Sequence, residues 1–169
     1  MQIKVKKLHP DAQIPVYAKP GDSGFDLIAA EAALLAPGET KVIKTNLAFE
    51  IPEGYEMQIR PRSGITAKTK LRVQLGTIDS GYRGEVGVIV DNISNFVEVC
   101  ALIGIDGKTI FERDKEYKPY KLEQGTYMIH KGEKIAQGVI CPVERVELIE
   151  TDDLSATERD SGGFGHTGV

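Results

Sequence analysis

Asp79 and Tyr82 stand in the segment GTIDSGYRGE, where glycines at 76, 81 and 84 bracket a carboxylate and an aromatic ring. Such glycines suit a tight hairpin that presents both side chains at its open side. A carboxylate placed there can orient and deprotonate water, given an electrophile within hydrogen-bond reach. An Asp in a glycine-rich turn also serves simply to hold the turn, so other segments must decide between the two roles.

Four such segments carry matching chemistry. PRSG at 61–64 places Arg62, Ser63 and Gly64 at the start of a short helical stretch through Ile65, Ala67 and Lys68, with Ser63 as its N-cap. Free amides and the positive end of the dipole favour an anion there, phosphate above all; the plain alternative is an ordinary cap beside a surface arginine. The tail RDSGGFGHTGV has Arg159 before a glycine run and Phe164 within it. Its amides can close on phosphate oxygens, although it lacks the Lys and the strand-to-helix setting of a P-loop. GDSGFDLIAA sets Asp22 and Asp26 around a turn, and a carboxylate near a polyphosphate can hold hydrated magnesium. In KGEKIAQG, Gln137 follows an Ile-Ala pair, as where a strand buries its apolar residues and exposes an amide at its end.

The elements that must position these residues are strands. Tyr55, Met57 and Ile59 alternate with Glu56, Gln58 and Arg60; Leu47, Phe49 and Ile51 and then Val86, Val88 and Val90 repeat the period of two. With 18 Gly and 8 Pro as punctuation, the pattern predicts an all-β sandwich, barrel or jelly roll with one short helix. Ile105-Asp106-Gly107-Lys108 gives a hairpin-turn signal inside 96–127, so an exposed β-arm is expected there. The neighbouring ERDKEYKPYK, dense in both charges, reads as a solvated surface or as a docking site. Past Glu150 the period fades, leaving a mobile tail over 151–169 that is either a disordered end or a lid on the 1–150 domain.

At 169 residues one domain is expected, and no apolar stretch is long enough to span a bilayer. MQIKVKKLHP is not followed by the apolar run of a secretory signal, which places the chain in the cytoplasm with Cys100 and Cys141 reduced, forming neither a disulfide nor a zinc site. A net charge of -4 argues against nucleic acid as partner, while a small polyphosphate needs only a few placed cations.

In this order, GDSGFDLIAA, PRSG, GTIDSGYRGE, KGEKIAQ and RDSGGFGHTG resemble the five motifs of the homotrimeric dUTPase family, across 21–168. The resemblance implies a jelly-roll-like fold and hydrolysis of dUTP to dUMP and pyrophosphate, which limits uracil in DNA and supplies dUMP for dTMP synthesis. Asp79 would be the general base. Tyr82 would stack under the deoxyribose and exclude a 2′-hydroxyl, and main-chain groups near Val73 to Ile78, including Thr77 and Ile78, would read uracil. Arg62, Ser63, Gly64 and Gln137 would contact the phosphates, and Asp26 would hold Mg2+ through water. Arg159, Gly165 and Thr167 would close on the phosphates with the tail, while Phe164 covers the base in a neighbour's site, giving a homotrimer with shared active sites. His166 departs from the family, where Ser is common. The extra arm at about 96–127 resembles that of temperate-phage members.

The closest rival is dCTP deaminase, which shares the fold but needs a glutamate where Ile89 stands. A role of another class is docking of a protein partner, such as a repressor, by the arm; if the arm only docks, removing about Val99 to Gly125 spares hydrolysis.

Overall fold

The computed structural model describes residues 1–95, 102–108 and 125–162. Among them the chain forms β1 (Lys4–Lys7), β2 (Phe25–Ile28), β3 (Ala33–Leu35), β4 (Thr40–Lys44), β5 (Leu47–Glu50) and β6 (Tyr55–Pro61). There follow α1 (Ser63–Lys68), β7 (Leu71–Val73), β8 (Gly76–Ile78), β9 (Gly87–Asn92), β10 (Leu102–Gly104), β11 (Thr126–Ile129) and β12 (Lys134–Pro142). The strands make sheets in the orders β2, β12, β6, β8; β4, β9, β7; β10, β11, β3; and the pair β1, β5. This is the all-β, jelly-roll-like architecture expected.

The alternating residues do what their spacing dictates. Met57 and Ile59 face inward at 0% and 2% exposure, and Val86, Val88 and Val90 are equally enclosed. Burial of each such side chain contributes about 1.5–3 kcal/mol. The spine is the antiparallel pair of β12 with β6, in register from Ala136 opposite Pro61 to Pro142 opposite Tyr55.

Three local readings need correction. Ser63 is the first helical residue, and the cap position belongs to Arg62, whose backbone is extended at φ -89 and ψ 125 and whose side chain makes no cap bond. A guanidinium carries only donors and cannot cap a helix amide; that of Arg62 pairs with Asp26 instead. Asp22 does hold a turn, accepting the Lys19 amide at 2.8 Å, but Asp26 lies beyond it, on the buried strand β2. Finally, GTIDSGYRGE is not one tight hairpin. β7 pairs with β9, while β8 turns aside and pairs with β6, placing Ile78 opposite Met57. Gly76 permits this, since a Cβ there would lie 3.2 Å from Ile59 Cγ1. The tight turn is confined to Asp79–Tyr82, closed by the Tyr82 amide on the Asp79 carbonyl at 3.1 Å.

The predicted turn at 105–108 forms, with Gly107 at φ +80 and the Gly104 amide on the Lys108 carbonyl at 2.8 Å. β10 pairs in parallel with β11. The remaining arm, 96–101 and 109–124, lies outside the described residues. No described helix is long and apolar enough to cross a membrane.

Candidate active site

One cavity, of about 380 Å³, opens at the start of α1 and is lined by Arg62, Ser63, Gly64 and Gln137. The amides of Ser63 and Gly64 lie in the first helical turn, which has no carbonyl four residues back to accept them. Behind them sits a charge cluster on strand β2. Arg62 Nε is 3.1 Å from Asp26 Oδ1 and Lys134 Nζ is 2.7 Å from Asp26 Oδ2. Arg62 Nη1 also donates to the Lys134 carbonyl at 2.9 Å. Asp26 is 7% exposed, and these cations supply the opposite charge beside a buried carboxylate.

A bulge makes this arrangement possible. Lys134 pairs with Ile28 and Ala136 with Leu27, leaving Ile135 as an extra residue. Ile135 and Ala136 are consecutive and both buried, so the alternation slips by one. Lys134 and Gln137, three apart, therefore come to the same side, Gln137 directly across from Asp26. The sequence showed the Ile-Ala pair but gave Lys134 no role; two adjacent buried residues in a strand are the signal that would have found it.

A second cavity, of about 320 Å³, opens where β8 parts from β9, and Thr77, Ile78, Asp79, Tyr82, Val42 and Ile89 line it. β8 is the last strand of its sheet, so its outer edge offers amides and carbonyls that no described strand takes up. Asp79 is exposed at its end. Tyr82, at 44% exposure, is not a core aromatic. Its hydroxyl donates to the Glu85 carbonyl at 3.0 Å, and a Cβ at Gly84 would run into its ring. The loop is then clamped back: the Asn46 amide donates to Glu85 Oε1 at 2.8 Å, Thr45 Oγ1 to the Val86 carbonyl at 2.6 Å, and the Val86 amide to the Leu47 carbonyl at 2.8 Å. Val42, opposite Ile89 in register, was not foreseen; it is an apolar residue left 63% exposed beside the carboxylate.

Within one chain these cavities are far apart. β8 ends at Ile78 opposite Met57, which puts Asp79 level with Glu56, and the six steps from there to Arg62 span about 20 Å along β6. Arg159 stands apart from both, in an exposed terminal turn, with Nε donating to the Gly162 carbonyl at 2.9 Å. The segment leading to it, from 143, forms no strand and leaves Val146, Leu148, Ile149 and Leu154 exposed. Phe164, Gly165, His166 and Thr167 lie outside the described residues. Among the described residues no group of three or more His, Cys, Asp or Glu gathers to hold a metal.

A cavity at a helix start and a slot at a strand edge, on a jelly-roll scaffold, are what an all-β nucleotide-binding protein would need. Comparison with known proteins narrows the class. The family model described as dUTPase matches residues 10–101 and 118–168, leaving unmatched only part of the predicted arm within that span. The deoxyuridine 5'-triphosphate nucleotidohydrolase of Nautilia profundicola is 44% identical over 99% of both chains, and that of Hydrogenobaculum sp. 42% identical over 100% of this chain and 99% of the relative. Among solved structures, the dUTPase of Staphylococcus bacteriophage 80alpha with dUPNHPP superposes at a TM-score of 0.92 with 38% identity over 99% of both chains. This chain belongs to the dUTPase family.

Proposed function

We propose that the chain hydrolyses dUTP to dUMP and pyrophosphate, in the cytoplasm, with Asp79 as general base. The oxygen of a water molecule bonds to the α-phosphorus as its proton passes to the Asp79 carboxylate; the bond to the oxygen bridging to the β-phosphorus breaks, and its electron pair leaves with pyrophosphate. The observation that carries this reading is the strand-edge slot: backbone groups of β8 that no described strand takes up, beside an exposed carboxylate and a braced tyrosine. Amides and carbonyls fixed along a strand edge can match the hydrogen-bonding edge of uracil and mispair with cytosine. Tyr82, locked by Glu85 and Gly84, offers its face to the deoxyribose. In the deaminase alternative a glutamate must serve the base, but Ile89 is apolar and Glu85 is committed to the Asn46 amide.

Arg62, Ser63, Gly64 and Gln137 then take the phosphate chain. Asp26 fits a hydrated Mg2+ better than a directly bound one, because both oxygens already serve Arg62 and Lys134, yet each retains a lone pair for a metal-bound water. Bound there through water and the phosphates, Mg2+ would neutralise charge and align the triphosphate.

The separation along β6 supports a shared site. A triphosphate is too short to touch Asp79 and Arg62 of one chain, so Asp79 of one copy works with the phosphate cradle of another, in a homotrimer closed by tails bearing Arg159, Phe164, Gly165 and Thr167. The exposed apolar residues between 143 and 154 suit a segment that packs on a neighbour. The test is Asp79→Asn: pyrophosphate release from dUTP should fall at least about a hundredfold with binding of a non-hydrolysable dUTP analogue retained. Undiminished turnover would remove Asp79 from the mechanism.

A further inference from the structure

The turn at the root of the arm reaches the phosphate cavity. Ile105 and Asp106 line it together with Lys68 and the residues at the start of α1. Several contacts fix the turn there. Ile105 is part of the main core. Gly107, at φ +80, lies so close to the end of α1 that a Cβ would stand 2.7 Å from the Lys68 carbonyl oxygen. The Lys108 amide donates to Asp106 Oδ1 at 2.9 Å.

The far side of the arm is tied to the same helix. The Lys70 amide, just past α1, donates to Tyr127 Oη on β11 at 2.9 Å. Asn92, 1% exposed, donates to the Leu35 carbonyl at 2.9 Å and to the Gly125 carbonyl at 2.7 Å, and accepts the Ser94 amide at 3.0 Å. The arm thus leaves and rejoins the body at a pinned base, and that base bears on α1.

Asp106 makes no ion pair among the described residues, although the cavity it lines also holds Arg62 and Lys68. A phosphate chain bound there meets, besides the ion-paired Asp26, a like charge at Asp106 that no described cation pairs, and this opposes it without disturbing the base slot. We infer that the turn Ile105–Lys108 is a wall of the phosphate site: Gly107 positions α1, and Asp106 loosens the hold on the polyphosphate so that pyrophosphate can leave. This rests on the dUTP-binding reading above and assigns part of the arm to the enzyme's own site, so removal of Val99 to Gly125 would not spare hydrolysis.

The experiment is a charge series on the full chain, Asp106→Asn and Asp106→Lys, titrated calorimetrically with a non-hydrolysable imido analogue of dUTP, with pyrophosphate and with deoxyuridine. The Asn amide oxygen can still accept the Lys108 amide, so the turn survives. Affinity for the analogue and for pyrophosphate should rise about threefold to tenfold with Asn and further with Lys at low salt, and the gain should shrink as salt screens it. Deoxyuridine affinity should not move. Gly107→Ala should weaken the analogue more than deoxyuridine, in a variant whose thermal melt confirms folding. A flat charge series, or an equal shift for deoxyuridine, overturns the inference while leaving dUTP binding intact; a wild-type chain that binds neither analogue nor deoxyuridine overturns the underlying reading as well.

Discussion

Around Asp26 charge is held by charge: a buried carboxylate faces Arg62 and Lys134 at 3.1 and 2.7 Å, with a bulge setting which side chains converge. Around Asp79 the carboxylate stands exposed at the end of a three-residue strand, among apolar Val42 and Ile89 and a tyrosine. The first region is a finished cradle whose polar groups satisfy one another before any ligand arrives. The second is open, with a backbone edge that no described strand takes up and apolar surface left exposed. On the proposed reading, a single domain divides its labour: the groups that grip phosphate are built inside one chain, and those that act on the reacting centre are offered outward for a neighbour to complete.

The sharpest way to break that comparison is to separate the halves. Asp79→Asn and Arg62→Ala should each be nearly inactive alone, whereas trimers co-assembled from the two should recover about a quarter of wild-type turnover by random mixing. Absence of recovery in verified mixed trimers would place both halves in one chain. Next, Tyr82→Ala should reduce the preference for dUTP over UTP about tenfold to hundredfold, in kcat/KM measured for both, with little change in pyrophosphate affinity. The phosphate side should respond in the opposite sense. Asp26→Asn leaves two cations without their counter-charge, and because Arg62 and Lys134 are 33% and 48% exposed and can rehydrate, urea denaturation should show a loss of about 1–3 kcal/mol rather than more. The smallest effect concerns Asp91 on β9, whose carboxyl is held below the usual range by hydrogen bonds first from Thr40 and then from Gln74. Its contribution should be present above the ordinary carboxylate pKa and fade as pH falls through the lowered value. The urea midpoints of wild type and Asp91→Asn should therefore differ at neutral pH and converge in acid.

Local physics made much of this legible beforehand. The period of two at 55–60 and 86–90 marks strands because inward and outward side chains alternate, and the positive-φ turn at Gly107 follows from a residue without a Cβ. What escaped was set by partners distant in sequence. β8 abandons β9 because β6 offers Met57 and Ile59 to pack on, and no window around residue 76 contains that information. Ser63 looked like a cap because of its residue type; the backbone turns helical at Ser63 itself, which leaves the cap position to Arg62. Lys134 was overlooked because the bulge that aims it appears in sequence as two ordinary apolar residues. Asp106 belonged, on sequence, to an arm with no catalytic motif, and only three-dimensional packing on α1 brings it to the cavity lined by Arg62 and Ser63. The tail motif, beyond Gly162, rests on its resemblance.

The outer edge of β8, which no described strand takes up, has one more consequence. An open strand edge is a template on which a stray chain could add a strand and begin to aggregate. Here the edge is only Gly76–Ile78, followed at once by the charge of Asp79 and a turn. That is too short to seed a ladder, so the brevity that would suit recognition of a flat ring also keeps the open edge from becoming a route to misassembly.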